Sequence, residues 1–178
     1  MRSFHALFRD SSAAAAVEMA LVTPLLLIML AGGLEVGNYF LDEHILVKGV
    51  RDGARYAARQ SFTNYAGCDG TLRDVPTTVK NNTMLLVRKA TLDSSVPNLL
   101  AGWDAGTMVF TVQMKCYTTL GGAATGGIYN GNSTGTAGQA ARVIVTAKLP
   151  YRPVMPGFKF KSSGYFLNAA QQAAVTGI

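Results

Sequence analysis

The stretch "SSAAAAVEMALVTPLLLIMLAGGLEVG", Ser11 to Gly37, decides the fold of this chain. Between Glu18 and Glu35 it contains only uncharged residues, Met19 to Leu34. As a helix rising about 1.5 Å per residue, these residues alone reach about 24 Å. With residues 36–41 added, the helix can cross a hydrocarbon core about 30 Å thick. The sequence therefore predicts one membrane-spanning helix near the N-terminus.

The residues ahead of this run indicate its orientation. Arg2, His5, Arg9 and Asp10 form a weakly basic flank, which favours a cytoplasmic N-terminus and export of everything that follows. The run itself allows three interpretations: a cleaved secretory signal ending near "MLAGG", an uncleaved anchor, or a leader cut on the cytoplasmic side. Neither of the first two explains Glu18, a carboxylate at the costly edge of a span, and an uncleaved anchor also leaves the small residues 11–16 without a purpose.

Composition argues against several function classes. The 178-residue chain carries a net charge of +6, but its lysines and arginines are scattered rather than clustered into a basic patch. The acidic residues are equally dispersed, and His5 and His44 stand apart from any nucleophile, acid–base pair or metal-ligand set. We therefore expect no enzymatic activity, no cofactor, no metal site and no nucleic-acid partner.

The two cysteines, Cys68 and Cys116, match no metal-binding spacing. Both follow the apolar run, so both would be exported to an oxidising compartment, where a disulfide between them is the natural use. Closing so long a loop would stabilise the exported part by about 3–4 kcal/mol. Two unpaired buried thiols are the alternative.

Beyond the apolar run the periodicity predicts an α+β domain. Leu41, Ile45, Val50, Ala54 and Ala57 recur at helical spacing, so we expect one continuous helix from the membrane to about Arg59. A second helix is expected to start near Pro76 and to bury a face of four residues. This face contains Val79, Thr83, Leu86 and Ala90.

Two later segments alternate between apolar and polar residues, as half-buried strands do. They are residues 108–116 and 143–149, and we expect them to pair in a small antiparallel sheet. The glycine-rich residues 121–138 between them predict a long loop. Residues 94–106 form a connector, in which Trp103 is expected to cover the edge of the core. The final segment, 165–178, suits a strand or a helix equally.

Residues 13–60, "AAAAVEMALVTPLLLIMLAGGLEVGNYFLDEHILVKGVRDGARYAARQ", resemble the opening of TadE-like proteins, minor pseudopilins of tight-adherence pili. That family shows a small-residue tract, a Val-Glu step, an apolar run with an early proline, a glycine-flanked acidic residue and a helix ending in Ala-Arg-Tyr-Ala-Ala. The matching positions are Val17, Glu18, Pro24, Glu35, Gly37 and residues 53–58. A looser match is "LPYRP", Leu149 to Pro153. The family usually has glycine where this chain has Ala13, and an aromatic residue where it has Met19.

The resemblance implies cleavage by a prepilin peptidase between Ala13 and Ala14. Residues 1–13 would then be a leader, 14–41 a transmembrane helix and 42–178 an exported pilin-like domain, with the final segment an edge strand. Glu18 would become the fifth mature residue and act as an assembly register, pairing with the new α-ammonium of a neighbouring subunit. Pro24 would kink or loosen the helix, which suits extraction from a bilayer.

The resemblance also implies partners and location. We expect a single-pass protein of the inner membrane that works with other pilins and pseudopilins, the prepilin peptidase and the inner-membrane assembly platform. The hypothesis is a structural subunit that assembles a tight-adherence type IV pilus or a related secretion apparatus. The alternative from another class is a membrane-anchored extracytoplasmic binding module, with its recognition surface on the glycine-rich loop and Trp103.

Overall fold

The computed structural model describes residues 11–66, 70–118, 139–155 and 164–177. Cys68 and the expected glycine-rich loop lie outside these ranges. The chain divides into two compact units. Unit 1 contains residues 1–39 and 153–161, and unit 2 contains residues 40–152 and 162–178.

A single helix, α1, runs from Ser11 to Ala58 over 48 residues. The sequence-based expectation of one uninterrupted helix is therefore confirmed, and its end lies one residue before the expected Arg59. Pro24 stands inside α1 without ending it. Because proline has no N–H, the carbonyl of Ala20 lacks its usual donor four residues on.

The buried face of α1 in unit 2 differs from the one expected. Val50, Ala54 and Ala57 are buried as expected, but Leu41 and Ile45 are exposed. Leu46, only 1% exposed, is the first large residue of α1 to enter the core. The apolar stripe of the sequence continues from the membrane segment into the domain, so periodicity alone did not mark where burial begins.

The second helix, α2, spans Thr77–Lys89 and so starts near Pro76 as expected; Pro76 itself occupies the N-cap rather than the first turn. It ends at Ala90, whose backbone adopts the left-handed conformation with φ of 56° and donates its N–H to the Leu86 carbonyl. Its buried residues include Val79 and Thr83 as expected, and Val87 instead of Leu86 or Ala90. A cap at residue 90 turns the chain away there, so the buried face continues from Thr83 to Val87 at a spacing of four.

Four antiparallel strands form a sheet in the order β1-β2-β3-β4. The strands are β1 Arg73–Asp74, β2 Val109–Thr118, β3 Gln139–Pro150 and β4 Phe166–Ala174. The expected pairing of the two alternating segments is confirmed, with Val112 opposite Val145. The final segment is a strand at the edge of the sheet, as the family resemblance implied. The two-residue β1 had no signal in the sequence.

One face of the sheet forms the core of unit 2. Inward residues of β2 and β3 alternate as expected, and Leu149 is fully buried next to its register partner Leu167. Trp103 is 2% exposed and packs edge-on against Phe110, with ring centroids 5.9 Å apart. The guanidinium of Arg88 lies 5.7 Å from the centre of the Trp103 ring. Trp103 is thus a core residue, as expected, and its position makes it a poor candidate for surface recognition.

Candidate functional site in the apolar segment

The part of α1 in unit 1 exposes its apolar side chains. Eight large side chains from Leu21 to Leu30 are between 40% and 75% exposed, whereas monomeric soluble proteins rarely leave so large an apolar surface open. They are Leu21, Val22, Leu25, Leu26, Leu27, Ile28, Met29 and Leu30. Among the described residues, α1 is the one helix long and apolar enough to cross a membrane. The predicted membrane-spanning helix has the physical properties that a lipid environment requires.

The residues of the expected processing and register site lie at the start of this helix. Ala13 and Ala14 belong to its first turn, and the Glu18 side chain is exposed about one turn later. In the part of unit 1 that the structure describes, the Glu18 carboxylate is open to a second molecule. Pro24 lies on a later turn, where the Thr23 hydroxyl donates a hydrogen bond of 2.6 Å to the carbonyl of Met19.

A second acidic residue, Glu35, has the opposite environment. It is 4% exposed, although its neighbours Leu34 and Val36 are 55% and 54% exposed. One carboxylate oxygen accepts a hydrogen bond of 3.1 Å from the backbone N–H of Val154. The other accepts one of 3.1 Å from the backbone N–H of Met155. Two consecutive amides therefore bind the two oxygens of one carboxylate, an arrangement suited to an anion in a poorly solvated place.

The loop that supplies these amides is released from the sheet by its prolines. Strand β3 ends at Pro150, and Tyr151 makes a last backbone hydrogen bond, to the carbonyl of Tyr165. Pro153 has no N–H and cannot extend the ladder. Outside the ladder, the partly buried amides of Val154 and Met155 need another acceptor. The carboxylate of Glu35 meets that need.

This contact joins two features that the sequence analysis considered separately, the glycine-flanked Glu35 and the segment ending in "LPYRP". Neither a role for Glu35 nor this contact was predicted from the sequence. Two signals were present: an acidic residue within an apolar run, which requires donors, and two closely spaced prolines, Pro150 and Pro153, which interrupt strand pairing.

The comparison with known families agrees with this part of the chain. Residues 13–55 match the family model described as TadE-like protein. This TadE-like segment confirms the resemblance inferred from the sequence, and it contains both Glu18 and Glu35. The match ends before α2 and the sheet begin. No curated protein and no solved structure gave a significant match to the chain.

The remaining candidate residues lie in unit 2. Cys116 is 3% exposed on β2, and its expected partner Cys68 lies outside the described residues. His44 is exposed on α1. Within the ranges that the structure describes, no group of three or more His, Cys, Asp and Glu side chains is placed to hold a metal ion.

Proposed function

We propose that this chain is a minor pilin-like subunit that assembles a tight-adherence type IV pilus or a related secretion apparatus. The observation that carries the proposal is the TadE-like segment on a helix whose apolar side chains are exposed along the length of a bilayer span. A helix of this kind serves equally as a membrane anchor before assembly and as a packing surface against other subunits afterwards. The role is structural rather than catalytic.

Glu18 and the cut site form the assembly signal in this proposal. Cleavage between Ala13 and Ala14 would create an α-ammonium four residues before Glu18, on the same helix. In a filament, the carboxylate of Glu18 would pair with the α-ammonium of a neighbour and so offset part of its desolvation cost. The exposed Glu18 side chain is compatible with such an intermolecular pair. Pro24 would give the helix the pliability needed to leave the bilayer.

The partners and topology follow from the same proposal. The N-terminus would be cytoplasmic and unit 2 would lie outside the inner membrane, where the prepilin peptidase, the assembly platform, the other pilins and pseudopilins are the partners. The disulfide between Cys68 and Cys116 would stabilise the exported domain. Its support is that the chain shortly after Cys68 passes close to Cys116, since a Cβ at Gly70 would lie 3.9 Å from the carbonyl oxygen of Cys116.

The test replaces Glu18 by glutamine, which keeps the shape and removes the charge. In cells that carry the rest of the pilus system, Glu18→Gln should insert into the membrane at the wild-type level but fail to support pilus assembly. Glu18→Asp, which retains a carboxylate on a shorter side chain, should support partial assembly. Glu43→Gln is the matched control, because it removes a carboxylate from the same helix in unit 2 and should assemble normally.

Mass spectrometry of the intact protein separates the processing step from the assembly step. With a co-expressed prepilin peptidase, both the wild type and Glu18→Gln should begin at Ala14. Normal pili made with Glu18→Gln would disprove the register role. A chain that still begins at Met1 in the presence of the peptidase would disprove the processing, and a start near Gly33 would favour a secretory signal instead.

A further inference from the structure

The depth of Glu35 in a membrane can be estimated from the helix alone. If the span begins near Met19, a rise of about 1.5 Å per residue places Glu35 about 24 Å further along, inside a hydrocarbon core about 30 Å thick. An uncompensated carboxylate there is expensive. The structure supplies the compensation, because the Glu35 carboxylate is buried and accepts two backbone hydrogen bonds.

The same hydrogen bonds fix the depth of the donors. At N···O distances of 3.1 Å, the amides of Val154 and Met155 must lie at the same level as the Glu35 carboxylate. Val154 is 62% exposed at that level. Its exposure is similar to that of the apolar residues Leu34 and Val36 of the helix. Lipid around the loop would explain this exposure. In water, the loop would instead present another apolar side chain to the solvent beside an already apolar helix.

We propose that residues 153–155 form a second membrane-contacting element. Glu35, near the outer end of the membrane span, holds this element against the helix. Two loop amides that lie outside the sheet donate hydrogen bonds to the Glu35 carboxylate, so donors and acceptor are paired with each other. The Val154 side chain contacts the acyl chains. Irregular backbone is tolerated at this depth only where its polar groups are paired within the protein, and these two are. The inference rests on the proposed function in one respect, that the first part of α1 spans a membrane.

Tryptophan quenching by brominated lipid tests the contact on the full-length protein. The native Trp103 is buried in unit 2, so it supplies a constant baseline. Val154→Trp is compared with Leu26→Trp, a position 55% exposed on the span, and with Leu92→Trp, a position 48% exposed in unit 2. Each variant is reconstituted in vesicles of phosphatidylcholine and of the same lipid brominated on its acyl chains.

We expect brominated lipid to quench the added emission strongly for Leu26→Trp, clearly for Val154→Trp and little for Leu92→Trp. Quenching of Leu26→Trp alone would overturn the inference and leave the membrane span intact. Quenching of neither Leu26→Trp nor Val154→Trp would overturn both the inference and the proposed function.

Glu35 variants test what holds the loop. In the Val154→Trp background, Glu35→Ala should lower the quenching and raise the access of iodide to the added tryptophan, because both hydrogen bonds are lost. Glu35→Gln retains one acceptor oxygen and should give an intermediate value. Quenching that is unchanged by Glu35→Ala would refute the holding role of Glu35. The matched control is Glu18→Ala, which removes the other acidic residue of the TadE-like segment and should leave the Val154→Trp signal unchanged.

Discussion

The close packing of α1 against α2 predicts the effect of adding one methyl group at either of two glycines. A Cβ at Gly49 would lie 2.7 Å from the backbone oxygen of Val87. A Cβ at Gly53 would lie 2.5 Å from Cγ2 of the same residue and 3.2 Å from Cγ2 of Thr83. Carbon atoms normally approach to about 3.5–4.0 Å, so both substitutions force a movement. A backbone oxygen must move at Gly49 and a side-chain methyl group at Gly53, so the two substitutions can be distinguished.

Two opposing terms set the size of the effect. Replacing glycine by alanine inside a helix gains about 1 kcal/mol from propensity, whereas overpacking a core costs about 1–3 kcal/mol. At Gly49 the obstacle is a backbone carbonyl, which moves only with the whole of α2, so we expect the upper part of that range and a net loss of about 1–2 kcal/mol. At Gly53 the main obstacle is a methyl group, so the net loss should be smaller, about 0–1 kcal/mol.

A double-mutant cycle separates the two mechanisms. Val87→Ala removes the methyl group that opposes Gly53→Ala, so that pair should show a favourable coupling of about 1 kcal/mol. The same change leaves the backbone oxygen facing Gly49, and coupling there should stay within about 0.5 kcal/mol. Urea unfolding of the full-length protein in detergent, followed by the fluorescence of the buried Trp103, provides the free energies.

Gly37→Ala is the matched control for these variants. It lies on the same helix with nothing within 4 Å of an added Cβ, so the unfolding of unit 2 should not change. If Gly49→Ala proved as stable as Gly37→Ala, or if Val87→Ala rescued Gly49→Ala as fully as Gly53→Ala, the packing argument would be refuted.

Two further predictions concern unit 2. In unreduced protein, a thiol reagent should label neither Cys68 nor Cys116, and reduction should lower the free energy of unfolding by about 3–4 kcal/mol; two reactive thiols before reduction would exclude the disulfide. Tyr65→Phe removes the hydrogen bond that the buried Tyr65 hydroxyl donates to the Ala57 carbonyl and should cost about 1 kcal/mol at neutral pH in urea unfolding. Burial also raises the pKa of Tyr65 in the folded protein. The unfolded state therefore loses this proton first, and the free energy of unfolding of the wild type should fall as pH rises above the ordinary tyrosine pKa of about 10. An equal fall in Tyr65→Phe would argue against this cause.

Much of the architecture was predictable because it depends on local periodicity. The uncharged run and the helical spacing after it specify α1, and the alternation of residues 108–116 and 143–149 specifies β2 and β3. The family resemblance indicated a strand for the last segment. Its own residues left the type undecided, because every second residue from Leu167 to Val175 fits a strand whereas its alanines suit a helix equally. Pro76 marked the start of α2 for the reason that a proline at a helix start loses no hydrogen bond.

The faces of the helices were harder to predict. Leu41 and Ile45 carry the same apolar signal as Leu46, yet only Leu46 is buried. An apolar side chain is suited to lipid and to a protein core alike, so hydrophobicity cannot locate the boundary between them. The short strand β1 was missed for a related reason, since two residues are too few to show a period.

By itself, the sequence determined the long apolar helix, the α+β class and the TadE-like segment, because each depends on residue types at short spacing. Only the tertiary structure decided that Glu35 binds the amides of Val154 and Met155, far away along the chain. The physical reason lies in the donors. Every residue except proline carries the same backbone N–H. A carboxylate within an apolar run therefore indicates that hydrogen-bond donors are needed, but the sequence does not indicate which amides the fold will bring to it.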